Sequence, residues 1–196
     1  VYLVKHLGFS LENAGILLSC FGIGAVAGSS LGGWLTDKFG HFNVQLFSLT
    51  GVVPLFLLLP HLTTIPSIAA GILALSLVSD ILRPAHSVAL AHYAKPENSV
   101  RSFTLNRMAL NLGFSIGPAL GGFLAAFSYD LLFYGNAFAA TIAVLIFYFY
   151  FRNKKGNAVD KEKEDAVDVS FQSPYKDIPF LVFTFLSILF AICFFQ

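Results

Sequence analysis

Five stretches of about 20 mainly apolar residues, joined by short polar turns, govern what this chain can fold into. They run over residues 14–36, 44–62, 67–91, 105–127 and 131–151. A helix of about that length crosses roughly 30 Å of hydrocarbon. Lipid offers no partner to a stray backbone amide, so each stretch has to satisfy its own hydrogen bonds as a helix. A sixth stretch begins near Ile178 and runs on to Gln196, and residues 1–7 read as the last turns of a preceding helix. The sequence therefore predicts an all-α integral membrane bundle taken from a longer protein.

Composition closes the other classes. Hydrophobic residues make up 56% of the 196 positions and charged residues only 12%, against about 25% charged in an ordinary soluble domain. Disorder requires the opposite balance. A net charge of +1, with no basic stripe interleaved with aromatics, gives a nucleic acid nothing to bind. Cys20 and Cys193 both lie in apolar runs and are too few for a disulfide framework or a zinc site. No metal and no cofactor are expected, and no Ser/His, His/Glu or Asp/Asp pattern with catalytic spacing suggests an enzyme. The start lacks a basic region leading into a short apolar segment, so no secretory leader is expected.

Basic residues orient the bundle. If the turn after the first stretch is cytoplasmic, that side receives Lys38, Lys95, Arg101, Arg107, Arg152, Lys154, Lys155, Lys161, Lys163 and Lys176, which is 10 of the 12 Lys and Arg residues. The other side receives Lys5, and Arg83 lies within a span, so the positive-inside rule is satisfied in one orientation only. The aromatic run from Phe147 to Phe151, flanked by Arg152, fits an interfacial belt on that side. Residues 152–177 carry six basic and six acidic side chains and read as a solvated cytoplasmic linker. It divides an N-terminal bundle at 1–151 from the start of a second bundle at 178–196.

Gly33, Leu35, Asp37, Lys38, Phe39 and Gly40 cluster at the first cytoplasmic turn. Glycines allow close helix approach and then a tight turn, and a carboxylate there can meet a basic side chain or a helix N-terminus. This string resembles the G-x-L-a-D-r-x-G-r-r loop between the second and third helices of the major facilitator superfamily. His41 and Phe42 stand where that family usually has Arg or Lys. The resemblance implies that Gly33, Asp37, Lys38 and Gly40 belong to a cytoplasmic gate.

A second string, Gly113, Gly117, Pro118, Gly121 and Gly122, occupies the fourth stretch. Its glycines at four-residue spacing form a small-residue stripe that admits a neighbouring helix backbone, and Pro118 favours a kink. It resembles the g-x-x-x-G-P-x-x-G-G motif in the fifth helix of exporters of that family, a motif associated with antiport. Gly24, Gly28 and Gly32 repeat the stripe three helices earlier, the spacing of a 3+3 inverted repeat.

Charge inside the hydrocarbon is the third feature. Asp80 and Arg83 lie near the middle of the third stretch, followed by His86 and Ser87. At helical spacing these four fall within roughly 120° of one another. Pro84 leaves the carbonyl of Asp80 without its helical donor. An ionisable side chain at that depth costs roughly 2.5–3.5 kcal/mol on insertion scales and marks a pathway. Asp80, Arg83 and His86 are therefore the candidate proton and substrate pathway, with a self-neutralising packing pair as the plain alternative. Arg83 also resembles the arginine of the family's fourth-helix R-x-x-q-G motif. His92 falls on another face and reads as interfacial. Glu97, Arg101 and Arg107, in the turn that follows, are candidate partners for Asp37.

The resemblance spans nearly the whole chain, from the end of the family's first helix to the start of its seventh. It implies the N-terminal six-helix half of a twelve-helix secondary transporter working by alternating access. Proton-coupled efflux of drug-like small molecules is the favoured reading. Import of a sugar or another nutrient is the alternative, and a non-transporting receptor or scaffold on the same fold is the remote one. The expected partners are a small-molecule substrate, protons and the lipid bilayer, with the transporter monomeric and multi-pass in the cell (inner) membrane.

Overall fold

The computed structural model describes residues 8–94 and 96–152. The linker beyond Arg152, the sixth apolar stretch and residues 1–7 lie outside the described residues. Among those described there is no strand, and five long helices follow one another: α1 (Leu11–Phe39), α2 (His41–Leu58), α3 (Ile65–Tyr93), α4 (Ser99–Phe127) and α5 (Tyr129–Phe151). Four of them contain an expected span whole, and α2 with the 3₁₀ turn at Leu59–His61 covers the second as far as His61. Each of the three 29-residue helices is about 43 Å long at 1.5 Å per residue, so their ends reach past the hydrocarbon into the headgroup region.

Local chemistry sets the helix ends. Ser10 caps α1, its Oγ accepting from the Asn13 amide at 3.2 Å, and Lys38 occupies the last turn where the helix dipole favours a cation. One residue, Gly40, joins α1 to α2. Its φ of +80° is a conformation that side chains with a Cβ rarely adopt, and its amide closes α1 by donating to the Thr36 carbonyl at 2.9 Å. A short 3₁₀ turn at Leu59–His61 finishes α2. Pro66 stands in the first turn of α3, where a missing amide donor costs nothing. Ser128, with extended backbone, ends α4 and caps α5, accepting from the Asp130 amide at 3.2 Å.

The start of α4 differs most from the sequence expectation. Arg101 and Arg107 sit on α4 rather than in a turn, because the helix starts at Ser99, six residues before the apolar stretch. Ser99–Thr104 is polar enough to escape a hydropathy reading, yet nothing in it breaks a helix, and the interface lets its side chains stay wet.

α3 is the hub of the bundle: α1 packs along it most extensively, α2 lies against both α3 and α5, and α4 rests mainly on α5. The α1–α3 crossing is built on Gly24, Gly28 and Gly32, all buried. A Cβ on Gly32 would lie 2.6 Å from the Ile81 carbonyl oxygen and 2.8 Å from the Pro84 ring. A Cβ on Gly28 would run into the Leu77 carbonyl, and one on Gly24 into the Ser76 hydroxyl. The small-residue stripe of the first span is thus a backbone-to-backbone contact. Beside it Val44, Ile81 and Ala85 form the buried core, with Leu35 and Leu77 packed on it.

α4 is different. None of its residues is buried. A Cβ on Gly113, Gly117 or Gly122 would meet nothing within 4 Å among the described residues, and one on Gly121 would make an ordinary contact with Leu132 at 3.7 Å. The two glycine stripes look alike in sequence, but only the first is occupied by a described neighbour.

The contrast between glycines on one helix is testable. Gly28→Val should destabilise the protein by at least the ~1–3 kcal/mol of an overpacked site, read as a lower melting temperature of the full-length protein in detergent. Gly22 faces open space, so Gly22→Ala should be neutral or stabilising by up to about 1 kcal/mol through helix propensity. Equal melting temperatures for the two variants would remove the close crossing.

Candidate functional site

Polar groups inside an apolar bundle need partners, and their pairing shows how α3 is used. Asp80 lies on the core side of α3, its side chain 6% exposed, and forms an ion pair with Arg83 one turn on. The Arg83 side chain is 75% exposed and extends away from the core. A carboxylate buried among helices is tolerable when its charge is matched locally, and the i, i+3 spacing supplies that match without a second helix. Pro84 directly follows the pair and packs against Gly32, so the proline turn of α3 lies within the α1 crossing.

His86 is brought elsewhere. Its Nε2 is 3.0 Å from Asn106 Oδ1 on α4, and Ser87 Oγ donates back to the Arg83 carbonyl at 3.1 Å. The expected face of acid, base and imidazole is therefore divided. Asp80 and Arg83 pair with each other, while His86 links α3 to α4. Asn106 was not singled out by sequence reasoning, because a lone Asn beside Arg107 at a helix start reads as interface.

Two buried side chains on α2 also escaped that reading. Ser48, with no exposed surface, donates to the Val78 carbonyl at 2.6 Å. Gln45, 4% exposed, donates through Nε2 to the Ala85 carbonyl at 3.4 Å. The Gln45–Ser48 spacing places both on one face of α2, and two polar residues on one face of an apolar span were the available signal. Interhelical bonds of this kind are each worth about 0.6 kcal/mol in lipid, up to about 1–2. They fix α2 against α3 on both sides of Asp80.

At the basic end, Asp37 is exposed and has no ionic partner among the described residues. Arg101 and Arg107 are exposed on α4, and no ion pair joins either to Asp37. Lys38 instead lies over the rings of Trp34 at 4.9 Å and Phe39 at 5.4 Å, a cation–π arrangement worth about 0.5–1 kcal/mol when exposed. Gly33 has open space around it, whereas Gly40 is required by its backbone angle. Beside this turn the ring of His41 lies 5.1 Å from that of His92 and 5.6 Å from that of Tyr93. Phe42 stacks on Phe147 at 5.3 Å. His92 is thus an exposed member of an aromatic cluster that ties the start of α2 to the ends of α3 and α5.

The chain matches the family described as Major Facilitator Superfamily over residues 1–196. It is 33% identical over 153 residues to YttB of Bacillus subtilis (strain 168), an uncharacterized MFS-type transporter, covering 78% of this chain and 38% of that protein. It is 30% identical over 152 residues to the quinolone resistance protein NorA of Staphylococcus aureus (strain Mu50 / ATCC 700699), covering 75% of this chain and 37% of that protein. The chain thus spans a little over a third of the length of the curated relatives it matches. No solved structure matches it significantly.

The ion pair gives a direct prediction. Arg83→Ala leaves Asp80 buried without its cation and should lower the melting temperature of the full-length protein. Combining it with Asp80→Asn should recover most of that loss, since removing both charges costs less than stranding one. A double variant no more stable than Arg83→Ala would show that the pair does not balance charge within the bundle.

Proposed function

This chain belongs to the Major Facilitator Superfamily, and we propose on that premise that the protein carrying it is a proton-coupled exporter of small, drug-like molecules. The observation that carries the reading is the Asp80–Arg83 pair, a carboxylate held out of water in the middle of an apolar helix beside a proline. Such a group changes charge when it takes or releases a proton, and its countercharge lies on a side chain free to swing. Protonation of Asp80 would release Arg83, and deprotonation would recapture it. That is a two-state element that a proton gradient can bias.

The direction of transport rests on two supports. One is the resemblance of Gly113, Gly117, Pro118, Gly121 and Gly122 to the antiporter motif. The other is the quinolone resistance protein NorA among the relatives. The open glycine face of α4 is then a surface for another helix of the full-length transporter. The basic end, with Lys38, Arg101, Arg107 and Arg152, faces the cytoplasm, and Asp37 acts there as a gate residue whose partner is engaged in only one of the alternating states.

Proteoliposomes of the full-length protein test this. With a proton gradient imposed, a quinolone such as norfloxacin should move against the direction of proton flow, and collapsing the gradient should stop it. Asp80→Asn and Arg83→Ala should each lower the driven rate at least tenfold, while Asp37→Asn slows transport with membrane insertion unchanged. Gradient-independent transport, or substrate and protons moving in the same direction, would overturn the export reading. Full activity in Asp80→Asn would remove the ion pair from the mechanism.

A further inference from the structure

A pocket of about 490 Å³ opens between α2, α3 and α5 at the basic end of the bundle. Ligand sites commonly fall between roughly 300 and 1,000 Å³. Its walls are the rings of Tyr93, Phe147, Tyr150 and Phe151, and its polar groups include Gln45 and His86. A second cavity of about 380 Å³ at the opposite end, between Phe21, Phe56 and Phe133, is lined among the described residues by apolar side chains alone, which offer nothing to orient a ligand.

Gln45 gives the first pocket its chemistry. The side chain is 4% exposed, and its Nε2 is committed to the Ala85 carbonyl. Its Oε1 has no donor among the described residues. An amide oxygen that no described donor meets can accept from an N–H or O–H of a guest. His86 lines the same pocket, its Nε2 donating to Asn106 Oδ1. Among the described residues no carboxylate lines the pocket. A cationic guest would therefore find no counterion among those side chains. Flat aromatic walls, an amide acceptor within and no acid among the described lining residues describe a neutral, planar guest bearing a donor on its edge.

We propose that this pocket binds neutral planar heteroaromatic molecules that carry a ring N–H, which donates to Gln45 Oε1 while the ring packs among Tyr93, Phe147, Tyr150 and Phe151. The site lies wholly within α2, α3 and α5 and does not include the Asp80–Arg83 pair, so it stands whatever the substrate or direction of transport.

The test uses the full-length protein in lipid nanodiscs with tritiated carbazole, empty discs being subtracted. Carbazole should bind saturably. Dibenzofuran, which has the same outline and no N–H, should compete about tenfold more weakly, the weight of one hydrogen bond in a dry site. Gln45→Met should weaken carbazole by a similar factor and leave dibenzofuran unchanged, whereas Leu90→Trp, which fills the pocket from its α3 side, should weaken both. Photolabelling of the unmodified protein with 3-azidocarbazole should mark residues 86–93 or 147–151, in competition with carbazole. Non-saturable uptake, equal potency of the two ring systems, or label confined to other segments would each overturn the site, and none of these readings depends on a variant folding.

Discussion

The contact between the backbones of α1 and α3 is the constraint on which the rest of the bundle depends. Three glycines four residues apart leave α1 without side chains on one line, and α3 fills that line with its main chain from Leu73 to Ile81 and with the Ser76 hydroxyl and the Pro84 ring. In lipid there is little hydrophobic gain from bringing two apolar helices together, so close packing and polar contacts have to supply the association. Glycine allows both at once, since the surfaces meet with no side-chain entropy to lose.

Fixing α3 so closely also fixes its polar residues. Asp80 is turned inward between Leu77 and Ile81, which carry the crossing, and Arg83 follows it outward. Ser48 and Gln45 on α2 then find the Val78 and Ala85 carbonyls on either side. A proline at position 84 weakens the helical ladder in this same segment, and side chains from the neighbouring helix bond to carbonyls around it. The irregularity of α3, the buried charge and the α2 hydrogen bonds are therefore one structural region, held from both flanks by tighter packing than the bundle has elsewhere.

α4 shows the limit of that order. Its glycine string has the same spacing as the one on α1, yet it lies on an open face, tied to its neighbours by packing on α5 and by the His86–Asn106 bond. With identical spacing, the groove on α1 is filled by α3, while the one on α4 meets no close neighbour among the described residues. The difference lies in what stands opposite, and the chain covers only a little over a third of the length of its relatives.

Much of this protein was legible in the sequence, for reasons rooted in lipid. Because hydrocarbon forces each span to close its own hydrogen bonds, apolar length alone located all five helices and their short turns. The Gly33–Gly40 and Gly113–Gly122 strings carried the family, and the four-residue period of Gly24, Gly28 and Gly32 already implied a backbone crossing. Only the tertiary structure decided which partner each side chain takes. Helical periodicity places Asp80, Arg83 and His86 on neighbouring angles, but it cannot say that α1 and α2 enclose the first while α4 draws the third away. It likewise could not join His41 to His92, or gather Gln45, Tyr93 and Phe147 around one pocket. Those groupings depend on which helices lie side by side, and membrane helices of similar hydropathy carry almost no local signal for that choice.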